Sequence, residues 1–330
     1  MNLSLSNKKV LVTGAGGFIG SALTGELHAL GADVRVFARY TSRAEMGLLK
    51  NLSVEVQDSL DIIFGDLRDP DAVEKAAEDV DIIFHLGALI SIPYSYIHPV
   101  EVAQSNVMGT LNVLQACRAH GCRLVHTSTS EVYGTALYTP IDEAHPLQGQ
   151  SPYSASKIGA DKLVESFYRS YGVRVVTVRP FNTYGPGQSA RAVIPTIITQ
   201  ALTQNVVHLG NLDARRDFTY VSDTVDGFIR AALTEDVDGE TFNLGYGEEI
   251  TIEALADLII ALVGRPVEIV VDDERLRPEK SEVMRLLSDN TKASQMLGWQ
   301  PKVDIRTGLG LTIDWIRQHI KFFQPGHYEL

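Results

Sequence analysis

The sequence predicts an α/β fold: a Rossmann-type doubly wound parallel sheet with a smaller, mostly helical C-terminal domain. Three observations support this. The glycine-rich run TGAGGFIG (13–20) joins a short apolar segment to a helical one. Apolar strands then alternate with helical segments as far as residue 180. A chain of 330 residues is also long for one core, which favours a large domain with a smaller partner.

The first element is a strand from Lys8 to Val12, followed by the glycine run and a helix that reaches about Leu30. Gly14 permits a tight turn, Gly17 lets the backbone approach a pyrophosphate, and Gly20 lets the helix pack close to the strand. Because the amides and dipole of a helix N-terminus attract phosphate, this segment predicts a dinucleotide site.

The second strand, Val34 to Phe37, ends without the acidic residue that usually holds the ribose hydroxyls of NAD. Ala38 takes that place and is followed by Arg39 and Arg43. The two arginines are suited to a 2′-phosphate, or they are solvated loop charges. We expect NAD, and the sequence leaves NADP open.

The alternation of strand and helix continues through the first half of the chain. We predict strands at 61–64, 81–85, 123–127 and 173–178, and helices from about 70, at 98–119 and at 152–171. His85 and His126 fall at strand ends, and we interpret both as structural.

The pattern loosens after residue 180. Residues 181–188 are rich in turn formers and mark a crossing out of the sheet. A helix at 191–204 and a strand near 206–209 follow, and then a helix at 222–233 and a strand at 241–244 return to the sheet. We therefore predict a dinucleotide-binding domain of residues 1–180 plus about 217–246. Residues 181–216 plus 247–330 form the predicted nucleotide-sugar-binding domain.

The central stretch of the chain carries the chemistry. The strand that ends near His126 delivers Thr129, Ser130 and Glu131 to its carboxyl end, where open α/β sheets bind ligands. A helix then begins at SerPro (151–152) and carries Tyr153 and Lys157, which lie on one face because they are four residues apart.

The spacing of Tyr153 and Lys157 predicts a general base. A tyrosine hydroxyl has a pKa of about 10 and is a poor base near neutrality. An ammonium about 4 Å away stabilises the phenolate by roughly 4 kcal/mol at an effective dielectric of about 20. We therefore expect the pKa of Tyr153 to fall to about 7.

Composition excludes several function classes. A formal charge of −12 argues against nucleic acid and against anionic membrane surfaces. The two cysteines, Cys117 and Cys122, are too few for a disulfide framework and favour a reducing cytoplasm. His120 and His126 lie near these cysteines in the sequence. We nevertheless interpret the two cysteines as the end of a helix and the start of a strand, and we expect no metal site. We also expect no signal peptide and no transmembrane span.

Six motifs in order carry a resemblance that spans nearly the whole chain. They are TGAGGFIG, NVMGT (106–110), TSTSEVYG, YSASK, RPFNTYGP and RDFTYVSD. Together they resemble the extended short-chain dehydrogenase/reductase family that acts on nucleotide sugars. Residues 140–163 and 185–202 are most similar to NAD-dependent 4,6-dehydratases of the legionaminic-acid type, which act on a nucleotide-linked N-acetylglucosamine.

The resemblance implies roles at matching positions. Thr129 hydrogen-bonds the sugar O4, Tyr153 is the base at O4, and Lys157 binds the ribose and tunes Tyr153. The cofactor-contacting positions are Gly14, Gly17, Phe18, Ile19 and Gly20 at the pyrophosphate, Asp66 and Leu67 at the adenine, and Leu86, Ala88 and Asn106 along the cofactor. The positions that hold the substrate diphosphate are Asn182, Arg191, Val193, Arg216 and Arg277. The resemblance also implies a homodimer, joined through a four-helix bundle of helices 98–119 and 152–171.

The pair Ser130-Glu131 departs from many similar dehydratases, which carry Asp-Glu there. In those, the Asp protonates the leaving hydroxyl and the Glu removes the C5 proton. Because Ser130 is a poor acid, Glu131 or a water would have to protonate the leaving group here. Ser-Glu also occurs in related UDP-glucuronate decarboxylases. The sequence thus predicts a 4,6-dehydratase that oxidises C4 transiently, eliminates C5–H and C6–OH and returns the hydride to C6. The alternatives are a decarboxylase, a 4-epimerase, which would not need Glu131, and a non-catalytic dinucleotide sensor.

Overall fold

The computed structural model describes residues 4–323, in which twelve strands occur. The strands are β1 (Lys9–Thr13), β2 (Asp33–Arg39), β3 (Asp61–Gly65), β4 (Ile82–His85), β5 (Arg123–Thr127), β6 (Val175–Pro180), β7 (Asn182–Tyr184), β8 (Val206–Leu209), β9 (Arg215–Tyr220), β10 (Thr241–Leu244), β11 (Glu249–Thr251) and β12 (Glu268–Val271).

The α-helices of the described residues flank these strands. They are α1 (Phe18–Ala29), α2 (Val54–Ser59), α3 (Pro70–Ala76), α4 (Ile92–Ile97), α5 (Pro99–Ala103), α6 (Gly109–His120), α7 (Pro152–Tyr171), α8 (Val193–Thr203), α9 (Val221–Leu233), α10 (Ile252–Val263), α11 (Thr291–Leu297) and α12 (Ile305–Gln318).

Seven parallel strands form the main sheet, in the order β10-β6-β5-β4-β1-β2-β3. The chain winds outward from β1 through β2 and β3, then returns to β4 on the other side of β1. That reversal makes the switch point at which doubly wound sheets bind ligands. The predicted fold class is confirmed, including the return of β10 to the edge of the sheet.

The helix that carries Tyr153 and Lys157 has the limits that the sequence predicts. Ser151 and Ser154 form a reciprocal capping box, and Pro152 occupies the first turn, where its missing amide costs no hydrogen bond. Gly172 ends the helix in the left-handed conformation, with φ of 66°. Both ends of α7 are therefore fixed locally, which sets the position of the face that carries Tyr153 and Lys157.

The predicted helix over 98–119 is interrupted. It consists of α5 and α6, joined by a π-helical turn at 104–108 that includes Asn106. Such a turn aims one extra side chain inward and often accompanies a functional site. The helical pattern of the sequence carries no signal for this insertion.

The smaller lobe has two short sheets. β9 lies between β7 and β11, and β8 pairs with β12 in parallel, while α8, α10 and α12 pack against one another. The predicted domain boundary at 216/217 falls inside β9. The only helical residues within 272–290 are the short 3₁₀ turns at 273–275 and 279–281, so this stretch is less helical than the sequence pattern predicts.

Candidate active site

The glycine loop between β1 and α1 forms a backbone cradle. Gly14 has a φ of 71°, and a Cβ there would lie 2.7 Å from the backbone nitrogen of Gly87. Gly17 is the N-cap of α1 and offers no side-chain cap to the first amides of the helix. These donors remain available to an anionic group at the helix N-terminus.

Gly20 has a different role, because it faces the loop rather than the cleft. A Cβ at Gly20 would overlap the carbonyl oxygen of Gly14 and lie 2.9 Å from Cα of Ala15. The close approach of α1 to β1 therefore requires a glycine at this position.

We expect Gly20→Ala to lower the free energy of unfolding by about 1–3 kcal/mol, as overpacking does. Urea denaturation followed by circular dichroism measures the change. Gly25→Ala is the matched control in the same helix, because a Cβ there meets only the end of the Leu52 side chain, at 3.3 Å. An equal or greater loss in the Gly25 variant would show that close packing at Gly20 is not the cause.

A cleft of about 330 Å³ opens beside this loop, between the ends of β2, β3 and β4. Its lining includes Gly14, Gly17, Arg39, Asp66, Leu67 and Ala88. Phe18, Ile19 and Leu86 are partly buried next to it.

Arg39 and Arg43, at the end of β2 and in the loop that follows it, lie toward solvent. Arg39 is the last residue of β2, rather than part of the loop, and lies 3.7 Å from Glu101. Arg43 is 84% exposed and lies 4.0 Å from Glu45. Asp66 is engaged by the guanidinium of Arg68, which lowers the pKa of its carboxyl.

Asn106 is buried and fully hydrogen-bonded within the chain. Its side-chain oxygen accepts from the Leu89 amide at 2.8 Å, and its nitrogen donates to the Leu89 carbonyl at 2.9 Å and to Ser156 Oγ at 3.0 Å. The π-helical turn thus connects the loop after β4 to α7 through the Asn106 side chain. Contact of Asn106 with a cofactor stays a prediction.

Tyr153, Lys157 and Thr129 come together at the carboxyl end of β5. The Lys157 ammonium donates to the Thr127 carbonyl at 2.6 Å, and a hydrogen bond links Thr129 to Tyr153. Both Tyr153 and Lys157 are buried. α7 and β5 therefore present a phenol, a hydroxyl and a buried cation at one place.

The prediction that the pKa of Tyr153 falls to about 7 is wrong when only the groups of the protein chain act on it. Burial raises the pKa of the phenol, and the charges of Glu131 and Asp161 raise it further, against the hydrogen bond from Thr129. Burial also lowers the pKa of Lys157, to about 8. The spacing argument omitted the desolvation of both side chains, which opposes each charged form.

Glu131 lies close enough to Tyr153 and Arg216 to influence the pKa of both. It belongs to a 3₁₀ turn at 130–133, and its amide donates to Thr129 Oγ at 3.2 Å. Ser130, by contrast, is buried in this turn. The Glu131 carboxylate therefore lies near both the phenol of Tyr153 and the guanidinium of Arg216.

Two arginines of the smaller lobe converge on Glu282. Arg216 Nη2 lies 3.3 Å and Arg277 Nη1 lies 3.8 Å from Glu282 Oε1. Arg216 is buried, and its guanidinium also interacts with Glu131. This pair can bind a dianionic group, since a guanidinium fork fits phosphate oxygens.

The other predicted substrate positions make local contacts within the chain. Asn182 donates to the Asp217 carbonyl at 3.2 Å. The Arg191 amide donates to Ser189 Oγ at 3.3 Å, and Val193 begins α8. Their contact with a substrate stays a prediction.

The sequence reasoning missed a buried polar network beneath the site. Asp161 on α7 contacts His126, Ser128 and Arg179, and Arg179 also donates to the Tyr133 hydroxyl at 2.9 Å. The signal was available, because Asp161 follows Lys157 by one helical turn. The interpretation of His126 as structural agrees with its place in this network.

Within residues 4–323, no group of three or more His, Cys, Asp or Glu side chains is placed to hold a metal ion. The helices of the same range include none that is both long and apolar enough to cross a membrane.

Comparison with known proteins gives consistent matches along the chain. A family model described as GDP-mannose 4,6 dehydratase matches residues 11–312. The UDP-glucose 4-epimerase of Mycolicibacterium smegmatis is 35% identical over 94% of this chain and 98% of its own length. UDP-glucuronic acid decarboxylase 5 of Arabidopsis thaliana is 34% identical over 93% of this chain and 88% of its own length.

Solved structures agree in fold. The dTDP-glucose 4,6-dehydratase DesIV of Streptomyces venezuelae, solved with NAD bound, superimposes with a TM-score of 0.86 and 31% identity. The match covers 96% of this chain and 99% of that one. The relatives thus share the fold and differ in the reaction that their names describe.

Proposed function

The chain belongs to the NAD-dependent epimerase/dehydratase family, the extended short-chain dehydrogenases/reductases, and we propose that it is a nucleotide-sugar 4,6-dehydratase. The observation that carries the proposal is the position of Glu131 beside Tyr153 and Arg216. A carboxylate at this place can remove the C5 proton of a sugar whose O4 lies at Tyr153. The legionaminic-type substrate, a nucleotide-linked N-acetylglucosamine, rests on the sequence resemblance.

We propose NAD as the cofactor, as in the bound DesIV structure. The residues fit this group. The first amides of α1 have no side-chain cap, and the glycine at position 14 lets the loop lie close to the backbone of Gly87, where a Cβ would clash. Asp66, Leu67 and Ala88 line the cleft where the adenosine half would bind. When bound, NAD⁺ supplies a reversible hydride acceptor for C4 and a positive charge that favours the phenolate form of Tyr153.

Different side chains of the protein then carry out the individual proton transfers. Thr129 orients the sugar O4, and Tyr153 takes its proton while the 4-ketone forms. The ketone makes the C5 proton acidic, and Glu131 removes it as the C6 hydroxyl leaves as water. Glu131 or a water protonates that hydroxyl, because Ser130 is a poor acid at this position. Lys157 binds the ribose and holds a positive charge near Tyr153.

Arg216 and Arg277 are the proposed diphosphate ligands. Both guanidinium groups lie within 4 Å of Glu282 Oε1, at 3.3 Å and 3.8 Å, and this carboxylate balances part of their charge. Asn182, Arg191 and Val193 complete the proposed nucleotide site. A nucleotide-diphosphate sugar would therefore span the two lobes, with its sugar at the end of β5.

A UDP-glucuronate decarboxylase is the second candidate, and Ser130 favours it. The pair Ser130-Glu131 lacks the usual acid of the dehydratases, and a decarboxylase relative aligns along the chain. The first oxidation at C4 would be the same, but a C6 carboxylate would then leave as carbon dioxide.

We also propose a homodimer. Helices 92–120 and α7 carry exposed apolar side chains, among them Ile97, Val100, Met108 and Tyr171. Such faces suit a four-helix bundle with a second copy. Sedimentation of the purified chain tests this.

Product analysis tests the proposed reaction. Purified protein is incubated with uridine- and guanosine-diphosphate sugars, including UDP-N-acetylglucosamine and UDP-glucuronate, and products are analysed by mass spectrometry and NMR. We expect a 4-keto-6-deoxy product lighter than its substrate by one water, with no net rise of absorbance at 340 nm. Carbon dioxide from UDP-glucuronate indicates the decarboxylase, and a product of unchanged mass indicates an epimerase. Bound dinucleotide without turnover of any sugar indicates a non-catalytic sensor.

A further inference from the structure

The carboxylate of Asp161 lies at the centre of the buried network beneath the proposed catalytic lysine. Its Oδ2 accepts from Ser128 Oγ at 2.8 Å and from Arg179 Nη2 at 2.9 Å, while Oδ1 lies 3.2 Å from His126 Nε2. Its side chain is 5% exposed. One carboxylate thus joins α7 to the adjacent strands β5 and β6.

The same strand end is held from two sides. Asp161 accepts from Ser128, and the Lys157 ammonium donates to the carbonyl of Thr127, the preceding residue. Thr129, the proposed ligand of the sugar O4, comes next in the chain. Lys157 and Asp161 are one helical turn apart on the same face of α7, and they bind the adjacent residues 127 and 128.

Among the titratable groups around Lys157, Arg179 on β6 is charged and paired with Asp161 at 2.9 Å, whereas the imidazoles and the phenol carry little charge. Burial lowers the pKa of His85 on β4 and of His126 on β5, which keeps both imidazoles neutral near pH 7. Burial raises the pKa of Tyr153, one turn earlier on α7, so the phenol is neutral as well.

Asp161 is the group that opposes the desolvation of Lys157. Burial lowers the pKa of Lys157 to about 8, and the charge of Asp161 acts in the opposite direction. Burial alone would raise the pKa of Asp161, but the hydrogen bond from His126 and the charges of Arg179 and Lys157 bring it to about 2. The carboxylate therefore stays charged at every pH at which the enzyme would work.

We propose that Asp161 is a positioning residue for Lys157: its buried carboxylate keeps the lysine ammonium charged and fixes the strand end that carries Thr129. The inference rests on the proposed role of Lys157 in the site. Without Asp161, a buried ammonium would face neutral imidazoles and a carbonyl, and the neutral amine would become the favoured form.

The test measures the charge of Lys157 directly. The purified holoprotein is labelled with ¹³C at lysine Cε, the Lys157 signal is assigned with Lys157→Arg, and its titration is followed by NMR. We expect Asp161→Asn to lower the titration midpoint by about one pH unit or more, a tenfold loss of proton affinity. The alkaline limb of the pH–rate profile should move down by the same amount, because only charged Lys157 supports turnover.

Two controls separate charge from structure. Glu165→Gln removes an acid one turn further along α7, where Glu165 pairs with Lys162 and Arg169 near solvent. Ser128→Ala removes one hydrogen bond to Asp161 without changing its charge. We expect both variants to leave the midpoint unchanged. A shift in either control as large as that in Asp161→Asn would overturn the proposed charge effect.

A folded Asp161→Asn protein with the wild-type midpoint would also overturn the proposal. If Asp161→Asn does not fold, Asp161→Asn/Arg179→Met removes both partners of the buried pair, which proteins tolerate better than removal of one. Its midpoint should still fall, by less, and an unchanged midpoint counts against Asp161. The titration needs no turnover, so failure of the dehydratase proposal would appear only in product analysis.

Discussion

Tyr153→Phe should reduce turnover of the nucleotide sugar by about 10³-fold or more while the protein still binds dinucleotide. General acid–base catalysis contributes about 10²–10⁴-fold, and Tyr153 is the proposed base for O4. Its ring stays in place in the variant, because the side chain is buried between α7 and the end of β5. Steady-state kinetics measures the loss, and dinucleotide content after purification measures binding.

Tyr184→Phe is the matched control for this variant. Tyr184 is also a buried tyrosine, but its ring packs against Phe218 and Tyr220, and its hydroxyl lies 3.4 Å from the Ile305 carbonyl. We expect wild-type turnover there, with a loss of unfolding free energy of about 1 kcal/mol. Retention of more than about a tenth of wild-type turnover in Tyr153→Phe would remove Tyr153 from the role of base.

The framework of the site was predictable because its signals are local. The glycine run specifies a tight turn and a helix start, and the SerPro pair at 151–152 fixes the start of α7 through a capping box. The short apolar runs of the sequence predict β5, β8 and β10 with the bounds that the structure shows. In each case the residues that form the element are the ones that determine its limits.

Features that depend on distant contacts were not predictable. The π-helical turn around Asn106 arises where Leu89 and Ser156 bind its side chain. The raised pKa of Tyr153 follows from burial, which residue spacing does not reveal. Glu282 is 66 residues from Arg216 in the sequence, and no sequence motif predicts the contact between their side chains.

The choice among dehydratase, decarboxylase and epimerase depends on a few side chains rather than on the fold. Relatives with all three descriptions align along the chain at similar identity. In the proposed mechanism, the step common to the three reactions is oxidation at C4, and it uses Tyr153 and Lys157. A dehydratase and a decarboxylase go on to react at C5 and C6 of the sugar, whereas an epimerase changes only C4. Glu131 is the residue of this site that we propose to act at C5. It is therefore the position at which the proposals separate.

Glu131→Gln should keep the first oxidation and block elimination. Tyr153, Lys157 and Thr129 are unchanged in this variant, so the 4-keto sugar and reduced dinucleotide should accumulate together. Loss of the base at C5 should slow formation of the 6-deoxy product by about 10²–10⁴-fold. Single-turnover absorbance at 340 nm follows the first step, and mass spectrometry follows the second.

The wild-type reaction in deuterium oxide provides the complementary measurement. If a base removes the C5 proton, the 4-keto-6-deoxy product should carry deuterium at C5. Glu282→Gln controls for charge, since Glu282 is the other carboxylate beside Arg216. We expect that variant to alter KM for the nucleotide sugar and to retain elimination.

Three results would contradict the role of Glu131. These are elimination at the wild-type rate in Glu131→Gln, a product without label at C5, and an equal block in Glu282→Gln. The last would trace the defect to Arg216, because the two carboxylates flank that guanidinium.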